Sequence, residues 1–350
     1  MGKVLRVAVV FGGRSAEHPV SVASARSVLA NLDRSRFLPV PVGIGPDGGW
    51  LTPEATRRAV QSETSAFHWL PATGGPARGA DPWALLASVD CVFPLVHGST
   101  GEDGSLQGLL ELCNVAYVGC GVVASATGID KWLAKLAWKA LGLPTVPAWR
   151  VPGEDFADDA EAALRAAEQA IPYPWFVKPA RAGSSVGVSP ARSREDAPAA
   201  VRQALTHGRY ALVEPLVRGR EIECAVLGGE RPAASVVGEI RPSRGHEFYD
   251  YEAKYGEGGA DLIVPADLPQ GAAAKVQELA VAAFRAIDGA DLARVDFFVT
   301  DKGPTLLNEI NTLPGFTAAS MYPRLWEATG VPYRELLTRL VTMAVQRHGR

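Results

Sequence analysis

The stretch Val4-Leu-Arg-Val-Ala-Val-Val-Phe11-Gly12-Gly13 decides the fold of the first part of the chain. Its nearly continuous apolar and β-branched run is typical of a strand that is buried on both faces of a parallel sheet. Two more strand patterns follow, at Phe37–Ile44 and Val89–Val96, with helical stretches between them. This alternation predicts an α/β fold with a small open parallel sheet over about the first 120 residues.

The pattern changes after Gly121. Strand patterns at Tyr210–Val217, Glu221–Gly228 and Ala233–Ile240 follow one another closely, which predicts an antiparallel sheet. The segment 244–261 is polar, aromatic and glycine-rich and has no periodicity. Long loops of this kind in compact domains are usually functional lids or disordered segments.

Composition restricts the class of function. The chain has 350 residues, 47% of them hydrophobic and 21% charged, and 35 Lys+Arg against 38 Asp+Glu give a net charge of −3. These values are typical of a soluble globular protein and lack the basic excess of a nucleic-acid binder. No apolar run approaches the roughly 20 residues that span a bilayer, and no signal peptide is visible, so we expect a cytoplasmic protein with no membrane partner. The four cysteines show no metal-site spacing and are expected to be buried thiols.

Three glycine-rich segments are candidates for ligand binding. The loop from Gly12 to Glu17 places a carboxylate at the carboxyl edge of the sheet, where ligands bind in such folds. The loop His97–Gly104 follows another strand and contains two acids. Lys178, followed by the turn Gly183-Ser184-Ser185-Val186-Gly187, combines an ammonium with several backbone N–H groups, which suits polyphosphate. The first and third segments taken alone could equally be structural, whereas the dense motif of the second favours a loop that forms part of a site.

A metal site is predicted near the C-terminus. Side chains alternate along a strand, so Glu309 and Asn311 share one face while Asn308 faces away. If the strand Arg294–Val299 pairs with this one, Asp296 joins the same face. Two carboxylates and an amide carbonyl form a hard-oxygen cluster that suits magnesium.

Together these segments resemble the D-alanine–D-alanine ligases of the ATP-grasp superfamily over essentially the whole chain. The resemblance implies an N-terminal open parallel sheet domain over residues 1–121 and two α+β subdomains, 122–217 and 218–350, that clasp ATP. The segment 244–261 would be a lid loop within the subdomain 218–350. Five motifs carry the resemblance, in order: Gly12-Gly-Arg-Ser-Ala-Glu17-His, His97-Gly-x-x-Gly-Glu-Asp-Gly, Gly183-Ser-Ser-Val-Gly187, Phe248-Tyr-Asp-Tyr-Glu-Ala-Lys-Tyr255 and Asn308-Glu-Ile-Asn-Thr-Leu-Pro-Gly315.

The resemblance also implies a reaction. Two D-alanines would be joined into D-alanyl-D-alanine, at the expense of ATP and through a D-alanyl phosphate, for peptidoglycan precursor synthesis. ATP and magnesium would be the cofactors, with two ions bound and manganese as a substitute. Members of the family are typically homodimers built through the N-terminal region.

The resemblance assigns roles to individual residues. Lys131 and Lys178 would contact the ATP phosphates, where fixed positive charge stabilises the transferring group. The other nucleotide residues would be Glu214 and Val217 at the adenine, Glu221 at the ribose and Phe248 near the nucleotide, with Asp296, Glu309 and Asn311 as the magnesium ligands. The amino-acid sites would use Glu17 for the first ammonium, Ser184 and Tyr255 to link that acid to the lid, Arg294 and the Gly315 N–H for the oxyanion, and His97, Lys254 and Ser320 for substrate positioning.

Specificity and class leave alternatives open. Relatives that make D-alanyl-D-lactate lack the Lys-Tyr ending of the lid, so Tyr255 favours an amine as the nucleophile. The glycines of segment 256–261 replace a bulkier segment of many relatives and predict a more mobile lid, which leaves D-lactate or D-serine open as a second substrate. A non-catalytic ATP-binding regulator would have no need of the full set of catalytic charges. A nicotinamide-dependent oxidoreductase is opposed by the absence of G-x-G-x-x-G.

Overall fold

The computed structural model describes residues 3–61, 79–183, 186–242, 260–300 and 304–349. The first sheet is parallel and has the order β2-β1-β3-β4. Its central strand β1 is buried from Val7 onwards, as expected of a strand covered on both faces. The prediction of an open parallel sheet is confirmed. The strands are β1 (Leu5–Gly12), β2 (Phe37–Ile44), β3 (Cys91–Pro94) and β4 (Ala116–Tyr117).

Helices connect these strands. The first begins after Glu17, with Pro19 in its first turn, where the missing N–H of proline is no loss. One helix, Val122–Ile129, was not predicted, because β-branched residues and an internal glycine, Gly128, give it a weak helical pattern. The helices of this part are α1 (His18–Asn31), α2 (Pro53–Gln61), α3 (Pro82–Leu86), α4 (Ser105–Leu112) and α5 (Val122–Ile129).

A second, antiparallel sheet has the order β5-β8-β6-β7 among the described residues. It packs with its helices around a separate core that includes Trp175, Leu164 and Val201. The strands are β5 (Trp149–Pro152), β6 (Trp175–Pro179), β7 (Ser189–Ala191) and β8 (Tyr210–Pro215), and the helices are α6 (Lys131–Ala140), α7 (Gly153–Asp158), α8 (Ala160–Ala170) and α9 (Ala197–Leu205).

The third sheet is also antiparallel, with the order β11-β10-β9-β12-β13. The antiparallel prediction is confirmed for Glu221–Gly228 and Ala233–Ile240, which pair with each other, but it was wrong to join Tyr210–Val217 to them, because that strand pairs with β6 in the second sheet. One face of this sheet packs on the long helix Ala272–Ala286 through residues such as Phe284 of the helix and Val295 of the sheet. The elements are β9 (Arg220–Leu227), β10 (Ala233–Pro242), β11 (Ala260–Ile263), α10 (Ala272–Ala286), β12 (Leu292–Val299) and β13 (Thr305–Asn311).

The last two helices return to the first sheet. Helices α11 (Met321–Ala328) and α12 (Tyr333–His348) contribute buried residues such as Leu340 to the same core as Phe93. Near the end of α12, Arg347 donates to the carbonyl oxygen of Tyr117 at 2.8 Å. The N-terminal sheet and the C-terminal helices therefore share one hydrophobic core.

The predicted alternation along β13 is wrong at one point. Asp296 of β12 pairs with Glu309, but the next residue of β12, Phe297, pairs with Leu307, so the register shifts by one residue. Asn308 is the extra residue of a β-bulge, which locally breaks the two-residue period. As a consequence Asn308 and Glu309 both line the cleft described below, and Asn308 does not face away as predicted.

Two expectations from composition can be compared with the structure. No helix in the described ranges is long and apolar enough to cross a membrane. All four thiols are free; Cys91, Cys120 and Cys224 are buried, and Cys113 is partly exposed. Burial raises the pKa of each of the three buried thiols to about 12, so they are packing groups.

Candidate active site

A cleft of roughly 520 Å³ lies between the second and third sheets. Its walls come from strand ends and from the loops that follow them, which is where side chains can be aimed at a ligand without breaking a sheet. Most of the predicted nucleotide residues and two of the predicted metal ligands meet here. The lining residues include Lys131, Lys178, Gly183, Glu214, Val217, Glu221, Glu223, Asp296, Asn308 and Glu309.

Glu214, at the end of β8, lies between two lysines. Its Oε2 is 2.7 Å from Nζ of Lys178, and its Oε1 is 3.0 Å from Nζ of Lys135. Burial by itself raises the pKa of Glu214, but the two ammoniums outweigh it and hold that pKa below its ordinary value. Glu214 is therefore ionised. Lys135 was not predicted, although its position four residues after Lys131 on the same helix was a usable signal.

Lys131 joins the glycine-rich turn to the floor of the cleft. Its Nζ donates to the carbonyl oxygen of Ala182 at 2.8 Å and lies 3.1 Å from Oε2 of Glu309. Burial lowers the pKa of Lys131, but the Glu309 carboxylate outweighs this effect and raises it above its usual value. The helix is fixed at this end by Asp130, which caps α6 and accepts from Arg181 Nε at 2.7 Å. The lysine thus points a permanent positive charge into the cleft.

Arg294 is held by two carboxylates. Its Nε and Nη2 donate to the two carboxylate oxygens of Asp296, both at 2.7 Å, and Nε lies 3.1 Å from Oε1 of Glu223. Burial alone would lower the pKa of Arg294; these carboxylates raise it well above its ordinary value. Glu223 was not predicted, yet it shares the strand face of Glu221, two residues earlier, and that parity was the available signal.

The predicted metal ligands lie on adjacent strands. Asp296 and Glu309 are direct cross-strand neighbours, so their carboxylates reach the same space. Among the described residues no three His, Cys, Asp or Glu side chains are grouped to hold a metal ion. Asn311, the third predicted ligand, lies two residues beyond Glu309 on β13 and is not among the residues that line the cleft; its Oδ1 accepts from Leu313 N at 3.0 Å. Two carboxylates and an amide carbonyl fit a hard dication that takes its remaining ligands from phosphates and water.

The carboxylate of Glu17 lies between two of the glycine-rich segments. A Cβ atom built on Gly98 or on Gly183 would be 3.1 Å from its Oε2, so the acid packs against both backbones. The first loop is tied to the second by Ser15, whose Oγ donates to the carbonyl oxygen of His97 at 2.7 Å. The structure therefore brings together the three segments that the sequence singled out.

His97 is 3% exposed and lies behind this site. Its Nδ1 donates to the carbonyl oxygen of Leu313 at 3.0 Å and is 3.7 Å from the carboxylate of Glu102. Burial lowers the pKa of His97, but the nearby carboxylate of Glu102 outweighs this effect, and the pKa is raised. Its hydrogen bond to Leu313 ties His97 to the loop that leads to Gly315.

Gly315 and Ser320 lie side by side after β13. A Cβ atom on Gly315 would be 3.0 Å from Oγ of Ser320, and that oxygen accepts from Thr317 N at 3.1 Å.

Four predicted site residues, Ser184, Phe248, Lys254 and Tyr255, lie outside the described residues, as does the predicted lid except for residues 260 and 261, which begin β11.

Comparison with known proteins gives consistent matches along the chain. The family model described as D-ala D-ala ligase N-terminus matches residues 6–120, and the model for the D-ala D-ala ligase C-terminus matches residues 137–342. The D-alanine–D-alanine ligase of Mycobacterium ulcerans is 47% identical over 368 residues, covering 99% of this chain and 97% of the relative. That of Bacillus pumilus is 43% identical over 350 residues, covering 98% and 97%.

Solved structures agree over the full length. The D-alanine-D-alanine ligase from Coxiella burnetii has a TM-score of 0.80 at 35% identity and covers 99% of this chain and 96% of its own. The VanG D-Ala:D-Ser ligase from Enterococcus faecalis has a TM-score of 0.84 at 31% identity and covers 98% and 100%.

Proposed function

The chain belongs to the D-alanine–D-alanine ligase family, and from this premise we propose that it joins two D-alanines into D-alanyl-D-alanine with ATP. The product would serve peptidoglycan precursor synthesis. One observation carries the proposal: the cleft between the second and third sheets has Lys131 and Lys178 on its walls and the cross-strand pair of Asp296 and Glu309 on its floor. Fixed cations beside hard-oxygen ligands suit phosphoryl transfer from a nucleotide.

The reaction divides into two steps. First, a carboxylate oxygen of one D-alanine attacks the γ-phosphorus of ATP, the bond to the β–γ bridging oxygen breaks, and ADP leaves. The amine of the second D-alanine then attacks the carbonyl carbon of the acyl phosphate and gives a tetrahedral intermediate. Its collapse breaks the carbon–oxygen bond to phosphate, while a proton leaves the attacking nitrogen. One ATP is consumed for each peptide bond.

Cations of this chain would act on the first step. Lys131 and Lys178 are the proposed contacts for the ATP phosphates, which each lysine would make through an ammonium already held in the cleft by a carboxylate. Glu214, near the end of β8, and Val217, two residues after that strand, are the proposed adenine contacts, and Glu221 on β9 is the proposed ribose contact. Phe248 is proposed to lie near the nucleotide on sequence grounds alone.

Asp296, Glu309 and Asn311 would hold magnesium. We propose two magnesium ions, for which manganese could substitute; when bound, they would neutralise charge on the transferring phosphate. Asp296 would then hold Arg294 less firmly, because a carboxylate oxygen that ligates a cation is a weaker hydrogen-bond acceptor. Glu223, on the neighbouring strand, is the second carboxylate that contacts Arg294, at 3.1 Å.

The amino-acid sites would lie beyond the phosphates. Glu17 is proposed to bind the ammonium of the first D-alanine by a charge-assisted contact, with Ser184 and Tyr255 linking this acid to the lid. The segment 244–261 would exclude water, since hydrolysis of the acyl phosphate would consume ATP without product. The oxyanion would be stabilised by Arg294 and the N–H of Gly315; Ser320 and Lys254 would position the second carboxylate, and His97 would support the site from behind.

We also propose a homodimer that works in the cytoplasm. Helices α4 and α5 of the N-terminal part pack on each other and expose apolar side chains, with Leu112 76% and Val123 65% exposed. A patch of this kind on a soluble enzyme supports an interface between two copies. Sedimentation of the purified protein tests the dimer directly.

The function is tested by measuring phosphate release from MgATP together with product masses. The substrates are D-alanine, L-alanine, D-serine, and D-alanine with either D-serine or D-lactate. Phosphate release with D-alanine alone, matched by the mass of the dipeptide, is the expected result. Release only when D-lactate or D-serine is added would keep the chemistry and overturn the specificity. No release under any condition would favour a non-catalytic nucleotide-binding protein.

A further inference from the structure

Lys135 is a buried cation behind the nucleotide end of the cleft. The residue is 4% exposed, and its Nζ donates to the carbonyl oxygen of Val146 at 3.2 Å and lies 3.0 Å from Oε1 of Glu214. It does not line the cleft; Glu214 and Lys178 do. Its neighbours on the inner face of α6, Ala134 and Trp138, are small or apolar. A buried ammonium at such a position is costly unless it is paired, and the carboxylate of Glu214 is its counter-charge.

The charges around Glu214 indicate what the ammonium of Lys135 contributes to the cleft. The Glu214 carboxylate is shared, one oxygen to Lys135 and the other to Lys178 at 2.7 Å. With both lysines protonated, the three groups carry a net charge of +1. Without Lys135 the remaining pair is neutral, and the ammonium of Lys178 is fully compensated by the acid beside it. Lys135 therefore leaves the positive charge of Lys178 available to a ligand in the cleft.

We propose that Lys135 is a positioning residue for nucleotide binding, which holds Glu214 from behind and compensates its charge so that Lys178 can attract the phosphates of ATP. The inference rests on the proposed function and adds to it a residue that the nucleotide does not touch. It predicts an effect on ATP affinity and on the KM for ATP, and little effect on kcat once ATP is saturating.

The protonation of Lys135 gives a second, independent readout. Burial lowers the pKa of Lys135 to about 8; Glu214 and Glu309 act in the opposite direction, and Lys178 adds to the lowering. Bound ATP favours the charged form of Lys135. Above about pH 8 the free protein has lost this proton, so that ATP binding must be accompanied by proton uptake at Lys135. ATP affinity is therefore expected to fall above pH 8 and to lose up to about tenfold per pH unit.

The experiment measures ATP affinity by calorimetry between pH 7 and 9.5, without amino acid, in three variants. Lys135→Met should weaken binding at pH 7 by about tenfold, the effect of one unit charge at roughly 10 Å in protein, and should abolish the decline above pH 8. Lys135→Arg, whose charge does not titrate, should keep most of the affinity and also lose the decline. Lys139→Met, an exposed lysine on the same helix, is the control and should match the wild type.

Each outcome decides the proposal. Lys135→Met binding ATP as tightly as the wild type, or more weakly but with the decline above pH 8 retained, would overturn it. If Lys135→Met does not fold, the wild-type profile decides, because a flat affinity from pH 7 to 9.5 contradicts a titrating Lys135. Dipeptide synthesis by the wild type is measured alongside. Its absence would refute the proposed function, whereas its presence with an unchanged Lys135→Met would refute only this inference.

Discussion

Arg294 and Asp296 are predicted to be strongly coupled in stability. Their two hydrogen bonds of 2.7 Å are nearly buried, with side chains 15% and 13% exposed. Hydrogen bonds to charged groups each contribute about 1.5–3 kcal/mol. Asp296→Asn keeps one acceptor and turns an amide N–H toward the guanidinium, so it should cost about 2–4 kcal/mol. Arg294→Met leaves a buried acid beside Glu223 and should cost about 3–5 kcal/mol.

The double variant should be less destabilised than the two single changes together. Once Arg294 is gone, Asp296→Asn also removes an uncompensated charge, so we expect a coupling energy of about 2–3 kcal/mol. The assay is urea denaturation of the four proteins at pH 7 with equal m-values as the condition for comparison. The exposed pair Arg339–Glu335, with both side chains 48% exposed, is the control cycle and should couple by less than about 1 kcal/mol. If the double variant at Arg294 and Asp296 costs the sum of the two single-variant costs within about 0.5 kcal/mol, the reasoning is refuted.

Three further outcomes are expected. Glu223→Gln should lower kcat for dipeptide synthesis by about tenfold and leave the KM for ATP unchanged, because a neutral amide holds the Arg294 guanidinium in position less firmly than the carboxylate does; an unchanged kcat in steady-state assays would contradict this. Burial raises the pKa of Asp291 to about 6. As the pH rises from about 4 through 6, the wild type should therefore lose up to about 3 kcal/mol of unfolding free energy relative to Asp291→Asn. Denaturation of both proteins at the two ends of this pH range measures the difference. Gly101→Ala would place a Cβ 1.7 Å from the carbonyl oxygen of Val96 and should cost more than about 3 kcal/mol, which a thermal midpoint within about 2 °C of the wild type would disprove.

Much of the fold was predictable because local patterns and tertiary packing agree. The strand Phe37–Ile44 was predicted with the bounds that the structure has, and the short helix that begins at Lys131 is capped by Asp130 as its sequence indicates. Strand β5 is different: its sequence reads as a strand already from Thr145, but only a single bridge to Leu307 forms there before the strand starts at Trp149. Pairing partners, which one sequence does not specify, set that boundary.

The candidate site was predictable where a motif concentrates chemistry and not where packing decides. The bulge at Asn308 depends on how β13 meets β12, and no alternation rule contains it. Lysine and glutamate are usually surface residues, so a sequence gives little reason to bury Lys135 or Glu223. Their burial follows from the counter-charges that the fold brings from other strands, Glu214 for the lysine and Arg294 for the acid.

The most direct test of the reaction follows oxygen from D-alanine into phosphate. D-Alanine labelled with ¹⁸O in both carboxylate oxygens is incubated with the enzyme, magnesium and unlabelled ATP, and the masses of phosphate, nucleotide and dipeptide are read. Phosphorylation of the carboxylate, followed by attack of the amine, predicts one ¹⁸O in the phosphate for every dipeptide made, with ADP unlabelled. Dipeptide formed with unlabelled phosphate, or with ¹⁸O in AMP, would contradict the acyl phosphate route.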